Sequence, residues 1–338
     1  SEVRDIAALG ERWRALEDRA DLSFFQSWTW TGCLAGERFP DPILAEASED
    51  GTVVGLALFN RRPGLGRSTL YLGETGIPSF DSLAIEHNGP LVARGRHDVR
   101  DAILRTAARR YDLVLSGLAM PARGIVRKSQ SAPFARLDSA WFDRRGVNTR
   151  QQLRRSERGY AASGPMLATR AETEEQAHAW LDEMAILHQA TWQGRGRAGA
   201  FADPFFARFH HELIRHGMRR GEIDLCRVAA GPRLIGILYN FRFRGRVLAY
   251  QSGFAYDPAE PRLKPGLTCH RQAIEQAMAS GVAVYDFLAG DTRYKRSLAD
   301  DAQTMQWLLA GPCWSPGLLA SRARALFSGL RDRWLDRT

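Results

Sequence analysis

A chain of 338 residues has room for two ordinary domains or one large one, and its 44% hydrophobic and 25% charged content is that of a globular protein in water. The net charge of +9 draws attention to anionic partners: nucleic acid, phosphorylated cofactors or an acidic membrane face. Cys33, Cys226, Cys269 and Cys313 are scattered without a CxxC pair, which argues against a zinc site or disulfide framework and for reduced thiols in the cytoplasm. No apolar run opens the chain as a signal peptide would, and none nears the roughly 20 residues a spanning helix needs.

Periodicity predicts a helix over 2–19, the aromatic stretch FFQSWTW, and strands around PILAEAS and TVVGLALFN. Residues 63–90 are broken by Gly and Pro into short strands and loops, followed by a helix near 97–110 and the buried strand YDLVLSGLA. Residues 146–163 form a strongly basic helical stretch that reads as the link between two halves. Beyond it, Thr173 and Gln176 make a capping box for a helix bearing Trp180, Met184 and Leu187. Asp203-Pro204 opens the next helix, with Phe206, Phe209 and Leu213 at core spacing. Three strands follow (IDLCRVAA, RLIGILYNFRF, RVLAYQSGFAY), then a helix carrying Ile274, Ala277 and Met278, the strand VAVYDFL, a short helix, and the strand AQTMQWLLA.

Of 47 basic residues only three are lysines, Lys128, Lys264 and Lys295, so each stands where a compact, shiftable charge differs from a guanidinium. In RLKPGLTCH, Pro265 presets the first helical turn, and Gly266, Leu267 and Thr268 present amides at a positive helix end with Lys264 at the rim. That is a phosphate cradle, or else an ordinary Pro-started helix with a solvated lysine. In YDFLAGDTRYKRSL a buried strand empties into Asp286, Asp291, Tyr294 and Lys295. The two readings are an acid–base constellation, and a salt bridge from Lys295 to an aspartate with Tyr294 as packing. In YQSGFAY, Gly253 admits a ligand backbone or marks a bulge, while Tyr250 and Gln251 point to opposite faces. Trp192 walls an acceptor pocket or belongs to the core. His210, His211 and His216 lack an acidic partner at ligand spacing and read as surface residues, so no metal is expected. The tail from 313 to 338 is amphipathic, with Leu319, Ala323, Leu326, Leu330 and Trp334 on one side, suited to docking on the domain or to peripheral membrane contact.

With FFQSWTW, the basic NTRQQLRRSERGYAASGP, ATW at 190–192, LKPG and YDFLAGDTRYKRSL in this order, most of the chain resembles the CelD-like acetyltransferases. These are a branch of the GNAT superfamily related to FemAB peptidyltransferases. The resemblance implies an α/β (α+β) fold of two GNAT-like halves, each a mixed twisted sheet flanked by helices. On this reading residues 1–145 are the first half, 146–163 the basic linker helix, 164–312 the catalytic half and 313–338 a terminal helix.

The implied chemistry is N-acyl transfer from a thioester, acetyl- or longer acyl-coenzyme A, to an amine of an amino sugar or peptide. Tyr294 then protonates the leaving thiolate, Asp286 or Asp291 takes the amine proton, and Lys295 stabilises developing charge. Gly253 and Lys264–Thr268 hold the donor, while Trp192, Tyr250 and Gln251 line the acceptor. The usual GNAT phosphate loop, Arg/Gln-x-x-Gly-x-Gly/Ala, does not follow the fourth strand. AYDPAEPRLKPGLT stands there instead, and QGRGRA at 193–198 matches the loop only formally, as a turn between helices. Acyl carrier protein and aminoacyl-tRNA, the FemAB-like alternative, therefore stay open as donors. A non-catalytic RNA- or anion-binding module is the rival from another class, although nucleic acid is not the expected partner.

Overall fold

The computed structural model describes residues 1–319 apart from Arg4, Leu65, Cys313, Pro316 and Gly317, so the terminal helix expected over 313–338 lies almost wholly outside the described residues. In chain order the first elements are α1 (Ile6–Glu17), α2 (Trp28–Arg38), β1 (Pro42–Glu49), β2 (Thr52–Arg62), β3 (Thr69–Leu72), β4 (Leu91–Val92), α3 (His97–Arg110), β5 (Asp112–Leu118) and β6 (Ile125–Arg136). Next come α4 (Val147–Ala161), β7 (Met166–Arg170), α5 (Glu174–Gln193), α6 (Pro204–Gly217), β8 (Ile223–Ala230), β9 (Arg233–Phe243) and β10 (Arg246–Phe254). The chain continues with α7 (Pro265–Ala279), β11 (Val284–Asp286), α8 (Arg293–Leu298) and β12 (Asp301–Ala310). It is a mixed α/β protein. No helix among the described residues is long and apolar enough to cross a membrane.

Two compact units divide the chain: Ser1–Ser129 with Met305 onward, and Gln130–Thr304. These limits differ from the boundaries expected at 145 and 312, for reasons visible in the pairing. Leu308–Ala310 pair antiparallel with β5, so β12 returns to the first unit. Trp141 is fully buried in the core of the second. The basic helix α4 is no free linker either. Leu153, Ser156 and Tyr160, at i, i+3 and i+7, are buried in the second unit while the arginines between them face out.

In the first unit β1, β2, β3, β5 and the end of β12 lie side by side, and α3 covers Ala57, Phe59, Leu70, Leu113 and Leu115 with Val99, Ile103 and Leu104. FFQSWTW is structural here. Ser23 and Gln26 cap a single turn, Ser27 caps α2, and the Gln26 amide donates to the carbonyls of Gly89 (3.2 Å) and Pro90 (3.1 Å).

In the second unit the sheet runs β6-β11-β10-β9-β8-β7. β10 and β11 are parallel, but they pair only over Arg246–Leu248 with Val284–Asp286. Beyond Asp286 the chain follows β6 instead: Phe287 N–H donates to Pro133 O and Gly290 N–H to Ser131 O, both at 2.9 Å. β10 meanwhile bulges at Tyr250 and runs on to Phe254 paired with β9. The two central strands therefore part at their C-terminal ends, leaving one edge of residues 249–254 without its neighbouring strand. Gly253 packs closely against α5. A Cβ there would stand 2.4 Å from Met184 O and 2.9 Å from the Leu187 Cβ, both on α5. Gly253→Ala is expected to cost about 1–3 kcal/mol by forcing α5 off the sheet, readable as a lowered urea midpoint; unchanged stability would show that α5 yields freely.

Candidate active site

The site is built where β10 and β11 separate. Asp286, the last residue of β11, is fully buried. Its Oδ1 accepts the Leu288 N–H at 2.8 Å, holding Leu288 in the left-handed region at φ 59°, and its Oδ2 lies 3.9 Å from the Arg246 guanidinium. The carboxylate thus shapes the turn after the strand. Lys295, on α8, closes that turn from the other side: its ammonium donates to Leu288 O (3.1 Å) and Ala289 O (2.7 Å). Gly290, at φ 120°, keeps the passage open, since a Cβ would meet the Lys295 Nζ at 3.4 Å.

Asp291 does not join this group. It is exposed and pairs with Arg296 at 2.6 Å, so one helical turn of separation from Lys295 does not make them face a common centre. Nor does it cap α8, whose N-cap position is Thr292. A solvated pair of this kind contributes little.

Tyr294 lies in the first turn of α8, as the resemblance implies. Burial pushes its phenol up to about 12, so it is protonated at neutral pH. Its ring stacks on His270 at 5.3 Å and 15°. His270, on α7, was not singled out in the sequence. It is buried, its Nδ1 is 3.0 Å from the Tyr285 hydroxyl, and its ring also meets Phe254 and Phe287. Burial, reinforced by the Lys295 charge, lowers its pKa to about 3, so it is a neutral imidazole. The signal was spacing: His270, Ile274 and Ala277 share one helical stripe. Through this histidine the end of β10, the second turn of α7 and the first turn of α8 converge on the parting of the strands.

The N-terminus of α7 lies against the end of β10, with Gly266 backing onto the Phe254 ring at 3.3 Å for an added Cβ. The cradle is smaller than expected. The Thr268 N–H closes the first turn on Lys264 O (3.0 Å), and its hydroxyl meets Ser156 Oγ (2.9 Å) on α4, which also accepts the Lys264 N–H (2.8 Å). Pro265 has no N–H, so Gly266 and Leu267 supply the amides that helix geometry leaves without an intrahelical acceptor. The exposed Lys264 ammonium folds back on Pro261 O at 2.8 Å.

On the other side of β10, Tyr250 is buried among Phe206, His210 and Phe241, with Phe241 4.8 Å away. Gln251, half-buried, is the first residue after the bulge. Trp192 lies in the last turn of α5, flanked by the guanidiniums of Arg195 (5.6 Å) and Arg197 (5.8 Å). QGRGRA is a turn there, with Gly196 at φ 68°. His210 is buried rather than on the surface, because it continues the Phe206–Phe209–Leu213 stripe; its Nδ1 is 3.3 Å from the Tyr239 hydroxyl. His211 pairs with Asp182 and His216 with Glu212. Among the described residues no group of His, Cys, Asp and Glu is placed to hold a metal.

Residues 147–296 match the family model described as an acetyltransferase (GNAT) domain. No curated protein sequence matches the chain. Among solved structures, FemX superposes with a TM-score of 0.58 at 11% identity, covering 91% of this chain and 97% of that one. L-PGS from Bacillus licheniformis gives 0.53 at 10% identity, over 91% of this chain and 94% of its own. The C-terminal domain of a putative lysylphosphatidylglycerol synthetase from Agrobacterium fabrum gives 0.52 at 11%, over 96% of each. Residues 147–296 are therefore similar to an acetyltransferase (GNAT) domain, and the chain as a whole has a FemX-like fold.

Proposed function

We infer that the second unit is an N-acyltransferase that moves an acyl group from an acyl-coenzyme A thioester to an amine of an amino sugar or peptide. The observation behind this reading is the parting of β10 from β11, with the amide end of α7 at one side and Tyr294 at the other. Where β10 runs on without β11 beside it, its edge offers backbone groups to an extended pantetheine arm, much as a missing strand would. The Gly266 and Leu267 amides, at a positive helix end, suit the pyrophosphate, and Lys264 can turn from Pro261 O to meet it.

The neutral amine attacks the thioester carbonyl, the C–N bond forms and the C–S bond breaks. Tyr294 gives its phenolic proton to the departing sulfur, and the amine proton leaves through water. Asp286 and Lys295 act through the turn they hold, keeping α8 and Tyr294 aligned with the strand ends.

Calorimetric titration tests the donor. Acetyl-coenzyme A should bind the wild type, and Lys264→Ala should bind about tenfold more weakly if a charge-assisted hydrogen bond to phosphate is lost. Absence of coenzyme A binding alongside retention of an aminoacyl-tRNA would overturn the thioester assignment.

A further inference from the structure

A groove of about 860 Å³ in the first unit includes none of the residues of this reaction and is lined by α3, the start of β6 and described residues after β12. Its floor is apolar, with Leu104, Ala122, Ile125 and Leu318. Its rim carries Arg105, Arg109 and Arg123, all exposed. None of these three makes an ion pair or hydrogen bond among the described residues, whereas neighbouring Arg100 is held by Asp101 and Arg67 by Asp112. The one carboxylate on the rim, Asp101, is already engaged by Arg100. The groove is therefore cationic at its edge and greasy at its base.

A second observation is independent of the charges. Trp314 is 62% exposed and lines the groove, Leu319 is 50% exposed and follows the lining Leu318, and Met120 and Val126 directly flank the lining segments Pro121–Ile125. These four make up half of the eight large hydrophobic side chains exposed among the described residues. Trp314 is also held in place, with the Arg67 guanidinium 5.0 Å above its ring and the adjoining Ser315 hydroxyl on the Asp112 carboxylate at 2.5 Å.

We propose that this groove docks the first unit on an anionic bilayer, taking a phospholipid phosphate between Arg105, Arg109 and Arg123 and the adjoining acyl carbons on its apolar floor. The chemistry selects this occupant from two sides. A small soluble phosphate has no use for the apolar floor or for a projecting tryptophan and leucine. A neutral apolar ligand has no use for three guanidiniums without partners. An anionic lipid satisfies both, since guanidiniums bind phosphate in a bidentate fork and an indole settles at the headgroup level. A negatively charged leaflet also attracts each basic side chain near its surface.

The test is co-sedimentation of the full chain with vesicles of phosphatidylcholine alone and of phosphatidylcholine containing phosphatidylglycerol. The wild type should pellet with the anionic vesicles only and be released by high salt. The variant combining Arg105→Ser, Arg109→Ser and Arg123→Ser should partition about tenfold more weakly or less still. Trp314→Ala should weaken binding without removing its salt dependence. All four side chains are exposed, so melting temperatures should stay near the wild type and report that folding is intact. Equal binding to both vesicle types, or unchanged partition of the triple variant, would overturn the proposal. So would a concentration-dependent dimer that the triple variant abolishes while vesicles are ignored, since the groove would then belong to a second copy of the chain.

Discussion

Tyr294→Phe is expected to lower turnover by about 100-fold or more while leaving the unfolding midpoint within a few tenths of a kcal/mol of the wild type. In the proposed reaction the phenol is the proton source for a thiolate leaving group, and burial, which pushes its pKa up to about 12, keeps it protonated at neutral pH. Phenylalanine keeps the ring, hence the stacking on His270 and the contact with Phe287. The sign of the pH dependence follows. Between pH 6 and 10 the acid remains in its working form, so the wild type should show no alkaline loss of kcat from this group, and the variant's deficit should be flat across that range. A donor with a leaving group that needs no proton should rescue the variant. Wild-type turnover in Tyr294→Phe, measured under single-turnover conditions, would show that this ring only packs.

Much of the local structure around these residues was legible in the sequence, and what was hidden was hidden for physical reasons. The position of Tyr294 in the first turn of a short helix after a buried strand could be read from an apolar run giving way to Gly290. The helix α3 was equally plain, because its apolar stripe is regular and it ends where the strand pattern of Asp112 begins. β6 was not foreseen. Its first half is exposed, with Arg127, Lys128 and Ser129 polar, and only Phe134 and Ala135 carry the signature of a strand paired with β11. The partners of Lys295 were also out of reach, because the ammonium binds the carbonyls of Leu288 and Ala289, and backbone acceptors leave no mark on residue types. Gly253 fits a ligand or a bulge by sequence alone, and the close neighbour in the structure is helix α5, since a glycine signals a near approach without naming what approaches.

Asp300→Ala should destabilise the protein by about 3–5 kcal/mol, far more than an ordinary loop substitution, and should slow the acyl-transfer reaction. α8 has six residues, too few to persist alone, so it depends on what grips its ends. Lys295 holds the turn before it. Behind it, the buried Arg145 guanidinium donates to Leu298 O and Ala299 O and forms an ion pair with Asp300, while the Trp141 indole donates to Leu298 O at 3.2 Å. Burial pulls the Arg145 pKa down, and the Asp300 charge opposes that pull. Asp300 itself is raised by burial, but the Arg144 side chain, the Arg136 N–H and the Arg145 charge outweigh this and hold its carboxyl below the usual range. A carboxylate depressed in the folded state contributes stability that is complete above its unfolded pKa, near 4, and is lost as pH falls through the folded value. Removing Asp300 leaves a buried guanidinium without its counter-ion and frees the C-terminal end of α8. Arg144→Ala is the contrast, because that partly exposed arginine is one of several partners and should cost under about 1 kcal/mol. Urea unfolding of both variants at pH 7 and pH 3 checks the argument. At pH 3 the difference between wild type and Asp300→Ala should shrink, and a gap that stays constant with pH would mean that the loss comes from packing and not from the ion pair.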